Sequence, residues 1–247
     1  MIYQSRIRRK IKAWKGLRRQ RRIIVLEDLK AGYLPVYKVA STSLRNLFCQ
    51  RQAAGLFSHT HGTELTDYKK QVERRIRKST GVSGLRRLRK KYFLFAFVRN
   101  PITRLYSCYL DKVTKSGAQG RRFWMGRYGI DPDMSFESFA KHIAQIPDTE
   151  ADPHFRSQHF LIYHENECLV DFVGKFENLN RDWQRLAQKT GLVESPGISR
   201  STGAGNGLDK LPLSREAAGI IARRYQQDIE LFGYQQEIDQ WLRRKAE

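Results

Sequence analysis

Residues 92–112 read "YFLFAFVRNPITRLYSCYLDK". The first seven residues form a continuous apolar run, the pattern of a central strand buried on both faces. Next comes a helix start: Asn100 can cap it, Pro101 fits the first turn, and Leu105, Cys108 and Tyr109 recur as an inward stripe. The unit is strand, loop, helix.

Two more units of the same kind flank it. Upstream, "RIIVLED" and "YLPVYKV" read as short strands, and Leu44, Leu47 and Phe48 then recur at helical spacing, which predicts a helix from about Thr42 to Gln52. Downstream, "LVDFVGKFENLNRDWQRLAQKTG" predicts a strand to about Val173 and a helix from near Asn178 that Gly191 closes. Repeated strand-to-helix units imply an α/β fold with a central parallel sheet flanked by helices, and such folds bind ligands beyond the carboxyl ends of their strands. Residues 66–91 read as helical, interrupted at "STGVSG". Further helices are expected from Leu213 to Tyr225 and from Gln235 to Arg244.

With 247 residues, 40% hydrophobic and 11% aromatic, the chain suits one globular domain, residues 23–247, behind a basic extension, residues 1–22. A net charge of +21 is unusual for such a domain. Residues 1–22 hold ten Lys or Arg and no acid, and residues 69–91 hold eleven with Glu73 alone, so these two segments supply +20 of that charge. Such runs are either solvated arms and helix faces or contacts to a polyanion: nucleic acid, an acidic glycan, or an anionic membrane surface touched by residues 1–22. The longest apolar run, Tyr92 to Val98, is far short of the ~20 residues that span a bilayer. The basic start lacks the apolar core of a secretory signal. Cys49, Cys108 and Cys168 are odd in number and without close pairs, as expected of core packing in a reducing compartment. A soluble cytoplasmic protein is the expectation.

The chemistry should lie at the strand ends. After "PVYK" the small residues Ala40, Ser41, Thr42 and Ser43 would let a loop close around an anion, and the helix behind them presents unpaired N–H groups and its positive dipole end. Lys38 would stand over that anion as a compact charge able to follow charge developing on a leaving oxygen. The loop is not a Walker A sequence, since no glycine occurs between Pro35 and Phe48, and this disfavours a P-loop kinase. At the end of the central strand Arg99 could converge with Ser107 on a second phosphate, with Arg104 sharing the face of Ser107. Each site alone has an ordinary structural reading: a helix cap for the first, a sheet-edge arginine and a small packing residue for the second.

Together the two loops resemble a known pair. "YKVASTSL" is similar to the 5′-phosphosulfate loop, and "VRNPITRLYSCYLDK" to the 3′-phosphate motif, of the Golgi carbohydrate sulfotransferases of the chondroitin/dermatan 4-O and HNK-1 type, sulfotransferase family 2. "DPHFRSQ", "DFVGKFENL" and "YQQDIELFGY" follow in family order, so the resemblance runs from about Tyr33 to Tyr234. It implies a P-loop-NTPase-like sulfotransferase fold and transfer of a sulfuryl group from 3′-phosphoadenosine 5′-phosphosulfate (PAPS) to a sugar hydroxyl. It implies that Lys38 contacts the 5′-phosphate and bridging oxygen within a cradle of Val39, Ala40, Ser41, Thr42, Ser43 and Leu44, and that Arg99 and Ser107 hold the 3′-phosphate. Arg200 and Ser201 stand where the family closes a loop near the nucleotide, although the stretch also reads as a plain linker. No metal is required, because fixed cations and N–H donors can stabilise the transferred group.

A base is still needed for the acceptor hydroxyl. His59 and His61 in "FSHTHGTEL" lie where related heparan sulfate sulfotransferases carry a catalytic histidine, which favours one of them as the base; His154 in "DPHFRSQ" matches another family histidine, one that lines the acceptor cleft, and is the second candidate. Each could equally be structural. Glu64 and Asp152 are available as orienting carboxylates. Lys175 and Glu177 fit an anchor for the sheet end. Trp124 and Tyr128 could stack on sugars, with core packing favoured. The chain shows neither the membrane anchor nor the lumenal cysteines of the Golgi members, so a bacterial-type cytoplasmic enzyme is the picture, and the family's acceptor does not carry over. The acceptor expected is a saccharide or glycan-bearing molecule, with an anionic one suiting the basic segments. The rival reading is a basic nucleic-acid-binding or polyanion-binding protein without catalysis. No helix-turn-helix, zinc or RNP pattern supports it, and no nucleic-acid partner is expected.

Overall fold

The structure is a computed structural model that describes residues 21–54, 72, 74, 76–114, 118–197 and 207–244. Strands β1 (Arg21–Leu26) and β2 (Ala31–Tyr33) form a hairpin that leads to helix α1 (Ser41–Ala54). Strand β3 (Arg77–Thr80) and helix α2 (Val82–Arg89) precede β4 (Phe93–Val98) and α3 (Pro101–Tyr109), which runs into a π-helical turn, Leu110–Thr114. Helices α4 (Ala118–Tyr128), α5 (Phe136–Ala144) and α6 (His159–Ile162) lead through the small ribbon of β5 (Tyr163–His164) and β6 (Glu167–Cys168) to β7 (Phe172–Lys175). Helix α7 (Leu179–Thr190) follows, and α8 (Arg215–Arg224), α9 (Gln226–Leu231) and α10 (Gln235–Arg244) complete the described chain.

The main sheet has the order β3-β1-β2-β4-β7. Its functional half is parallel: β2 pairs with β4, and β4 with β7, in a register that sets Tyr33 beside Phe95 and Val98 beside Lys175. The other half corrects the expectation of a parallel sheet throughout, since β1 runs antiparallel to both β2 and β3. The reason is local. Strands β1 and β2 are joined by a tight turn at residues 27–30, where Lys30 takes a positive φ of 45°, and so short a link permits only an antiparallel pair. A second correction concerns residues 77–80. Arg77 and Lys78 fall in the stretch that reads as helical and Ser79 and Thr80 in its interruption, but all four form an edge strand, because the outer edge of β1 offers backbone partners along their whole length. The run "YLPVYKV" leaves the sheet earlier than expected: β2 ends at Tyr33, one further bond joins Leu34 N–H to the Phe95 carbonyl at 2.8 Å, and Pro35 has no N–H with which to continue.

The alternation along β4 builds the core. Phe95 and Phe97 stack an aromatic layer with Tyr33, Phe48 of α1 and Trp183 of α7, with ring centroids 5.4–6.4 Å apart, in the separation range of favourable ring pairs. That layer fixes α1 and α7 over the parallel strands. Gly174 permits it: a Cβ there would lie 2.3 Å from the Phe97 ring. Cys49 and Cys108 are buried, as expected, while Cys168 lies half-buried in the β5–β6 ribbon. Helix α7 ends where the sequence indicated, with Gly191 left-handed at φ 72° and its N–H donating to the Ala187 carbonyl at 2.8 Å. Among the described residues no helix is long and apolar enough to cross a membrane.

Candidate functional site

Strands β2 and β4 are parallel neighbours, so the loops that leave their carboxyl ends emerge side by side. The first loop is Tyr37–Ala40. Lys38 and Ala40 both hold positive φ, 66° and 51°, a conformation that residues with a Cβ adopt only where the surroundings impose it. Fully buried Val39 supplies that constraint, anchoring the loop in the core between them. The Ala40 carbonyl accepts the first bond of α1 from Leu44 N–H at 3.0 Å. The N–H groups of Ser41, Thr42 and Ser43 therefore belong to the open first turn of a helix that carries no acid there.

The second loop begins at Arg99, whose side chain is 3% exposed. Gln158 clamps its backbone: Arg99 N–H donates to Gln158 Oε1 at 2.9 Å, and Gln158 Nε2 donates to the Arg99 carbonyl at 2.7 Å. The guanidinium lies over the Phe176 ring at 4.9 Å, and Nε donates to Thr103 Oγ1 at 3.1 Å. Burial pushes the Arg99 pKa down to about 10, with neighbouring Arg104 adding to the effect and Glu177 opposing it, so the group stays cationic at neutral pH in a site where a charge is costly. Asn100 caps α3 as the sequence predicted, accepting from Ile102 and Thr103 N–H groups at 3.0 and 3.4 Å.

The two loops share one cavity of about 540 Å³. Lys38, Ala40, Ser41, Thr42 and Ser43 line one side, and Arg99 and Ser107 the other, with Arg45, Asp111, Lys112 and His154 completing the wall. Val39 and Leu44 are fully buried behind it and support the loop from the core. Arg104 departs from the expected partnership with Ser107. It is 0% exposed and joins three segments, donating from Nη1 to the carbonyls of Tyr37 at 3.3 Å and His154 at 3.2 Å, and from Nη2 to the Arg156 carbonyl.

His154 has a partner of its own. Its Nδ1 lies 2.5 Å from Asp152 Oδ1, which also accepts from His154 N–H at 2.9 Å. A carboxylate oxygen that close requires a proton on Nδ1, which leaves Nε2 as the acceptor of the neutral ring. Burial pulls the Asp152 pKa up, but the hydrogen bonds from the His154 ring and backbone N–H, with Arg156 nearby, hold the carboxyl below its ordinary value, so it is ionised at neutral pH. The Tyr37 ring meets the imidazole edge-on at 4.6 Å.

A second cavity, of about 380 Å³, adjoins the first through the shared wall of Tyr37, Ser41 and Arg45. Among the described residues six arginines line it, Arg21, Arg22, Arg45, Arg77, Arg127 and Arg156, against the single carboxylate Asp152. Tyr37, Phe123 and Tyr128 give it aromatic surface. Of the two aromatics named from sequence, Tyr128 reaches this cavity, while Trp124 is buried against Tyr128 and Phe155. Lys175 and Glu177 anchor the sheet end as read: Lys175 Nζ donates to the Gly233 carbonyl at 2.9 Å, and Glu177 accepts from Asn100 N–H and Tyr234 O–H at 2.7 and 2.9 Å.

A family model described as the sulfotransferase family matches residues 21–235, the stretch that holds both loops. The chain belongs to the sulfotransferase family. Among curated relatives, carbohydrate sulfotransferase 11 of Rattus norvegicus is 25% identical over 203 residues, 73% of this chain and 56% of its own length. Carbohydrate sulfotransferase 14 of Mus musculus is 31% identical over 111 residues, 39% of this chain and 28% of its own. The chain thus matches little more than half the length of carbohydrate sulfotransferase 11 and under a third of that of carbohydrate sulfotransferase 14. No solved structure matches it. Within the family frame, residues that the sequence reading passed over stand out: Gln158, which clamps the Arg99 backbone; buried Asp228, which holds Gln158 in turn by accepting from its N–H and Nε2; and Asp111 and Lys112 on the π-helical turn. His59, His61, Glu64, Arg200, Ser201 and residues 1–20 lie outside the described residues.

Proposed function

We propose that the protein is a PAPS-dependent sulfotransferase that places a sulfuryl group on a hydroxyl of a saccharide or glycan-bearing acceptor. The observation that carries this reading is the single cavity lined by both Lys38 and the Arg99/Ser107 pair. A nucleotide phosphorylated at two separated positions needs two cationic sites at fixed spacing, and adjacent parallel strand ends supply that spacing. The residues suit such a donor. An arginine only 3% exposed, whose pKa is depressed by burial, gains a counter-charge from the 3′-phosphate, and the strained Lys38–Ala40 loop with the Ser41–Ser43 turn behind it offers backbone and hydroxyl donors to the 5′ end.

PAPS supplies an activated sulfuryl group; this chain's residues bind, orient and manage protons around it. Arg99 and Ser107 fix the nucleotide's 3′ side. Lys38 and the first turn of α1 offset the charge that builds on the departing phosphate oxygen. His154 accepts the acceptor proton at Nε2 while Asp152 holds Nδ1 and steadies the imidazolium that forms. His154 lines the donor cavity and Asp152 the arginine-rich one, so the dyad stands at their boundary, where an acceptor hydroxyl would meet the donor. The arginines and aromatic rings of the second cavity suit a sugar that carries carboxylate or sulfate. The names of the relatives, carbohydrate sulfotransferases, support a saccharide acceptor for this chain.

The test is transfer of radiolabelled sulfate from PAPS to a panel of acidic and neutral glycans. Label should pass to acidic saccharides in preference to neutral ones. Label on none of them, with the protein folded and the nucleotide bound, would reject the saccharide acceptor.

A further inference from the structure

Asp111 reaches into the donor cavity from the π-helical turn that follows α3. One of its oxygens, Oδ2, takes two ammonium groups at once, Lys38 Nζ and Lys112 Nζ, each at 3.0 Å. Ser107 lies one helical turn earlier, so the continuation of α3 carries a donor-binding hydroxyl and this carboxylate to the same wall. Single π turns inside helices recur at functional sites. Asp111 is the only carboxylate on that wall among the described residues, amid Lys38, Arg45, Arg99 and Lys112.

We infer that Asp111 is the resting counter-ion of Lys38, and that Lys38 exchanges this carboxylate for the donor's 5′ phosphate oxygens at each turnover, with Lys112 released alongside as a further cation of the donor site. The inference rests on the donor reading above. Its physical basis is competition. Before the nucleotide arrives, Asp111 offsets the mutual repulsion of the cavity's cations and keeps Lys38 inside it. Once a polyanionic ligand is present, the same carboxylate repels it and claims the lysine that the ligand needs. The contact is built to break: the Asp111 side chain is 45% exposed, and so open an ion pair is screened and weak. Asp111 is therefore a positioning residue that sets how tightly the nucleotide is held and how readily the spent nucleotide leaves.

The prediction runs opposite to that for a residue that merely supports the fold. Calorimetric titration with the product nucleotide, 3′-phosphoadenosine 5′-phosphate (PAP), should show Asp111→Asn binding about tenfold tighter than the wild type. Asp111→Ser, which removes bulk as well as charge, should do the same, while Asp111→Glu should stay close to the wild type. In a Lys38→Met background the gain from Asp111→Asn should shrink. Unchanged or weakened binding in both the Asn and Ser variants would overturn the inference, as would an equal gain with and without Lys38. A wild type that binds PAP no better than ADP would instead remove the donor reading itself, so the two failures are distinguishable.

Discussion

In the proposed mechanism Lys38 and His154 divide the chemistry between them, and their substitutions should fail differently. Lys38 sits in a loop held by Val39 and by the Arg104 bond to Tyr37, so Lys38→Ala should leave the fold intact. It should lower transfer by roughly 10²–10³-fold, the usual cost of a lost charge-stabilising donor. His154→Ala removes the proposed proton acceptor and leaves Lys38, Arg99 and Ser107 in place. Transfer should fall by roughly 10²–10⁴-fold while PAP affinity stays near that of the wild type. Steady-state rates beside equilibrium binding separate the two, and near-full activity in the His154 variant would return the base to another group. The sequence pointed to Lys38 only in company: a lysine before a Ser/Thr helix start is common, and it became a candidate because a second anion-binding pattern, Arg99 to Lys112, follows it in the chain. The sequence reading favoured His59 or His61 as the base and kept His154 as the second candidate. Only the 2.5 Å approach to Asp152 singles out His154 among the described residues, and a contact that depends on side-chain geometry has no period or spacing to announce it.

At the scale of elements, Arg104 decides whether the two loops and the His154 segment stay in register. A helix-face reading pairs it with Ser107. Instead it points into the core and serves carbonyls 50 and more residues away in either direction of the chain. Arg104→Met keeps the bulk but strands three buried carbonyls, which should cost about 3 kcal/mol or more in denaturant unfolding. A loss below about 0.5 kcal/mol, the level of an ordinary surface change, would show that the carbonyls find other partners. Gln158 and Asp228 were equally hidden. Their bonds to the Arg99 backbone and to each other link positions 59 and 70 residues apart, and local patterns report only on neighbours. The strand-to-helix units were legible for the opposite reason: "YFLFAFV" and the α7 stripe carry their burial in their own periodicity. The strand Arg77–Thr80 carries none, being polar and half-exposed, and exists because β1 presents a free edge.

At the scale of the molecule, the sheet is a device for bringing distant cations together. Among the described residues, Lys38 and Arg99 are separated in sequence by helix α1, edge strand β3, helix α2 and strand β4. The parallel pairing of β2 with β4 nevertheless delivers both to one end of the sheet, and the pairing of β4 with β7 adds Phe176 beneath the Arg99 guanidinium. The arginine-lined cavity beside them places positive potential where an acidic acceptor would approach, and it extends the local charge surplus of the basic segments into a site. The order of the motifs made the donor half of this plan legible. The acceptor half was not, since its arginines come from β1, α1, β3, α4 and the "DPHFRSQ" segment, and no linear stretch contains them together.

The plan reduces to one nucleotide held at both ends. Isothermal titration should compare PAP with adenosine 5′-phosphate and adenosine 3′-phosphate, each of which satisfies one anion site alone. PAP should bind one to one and more tightly than either by on the order of a hundredfold, because the second phosphate then binds within the same complex. Equal affinity for all three nucleotides would contradict a shared grip and leave Lys38 and Arg99 as unrelated features of the fold.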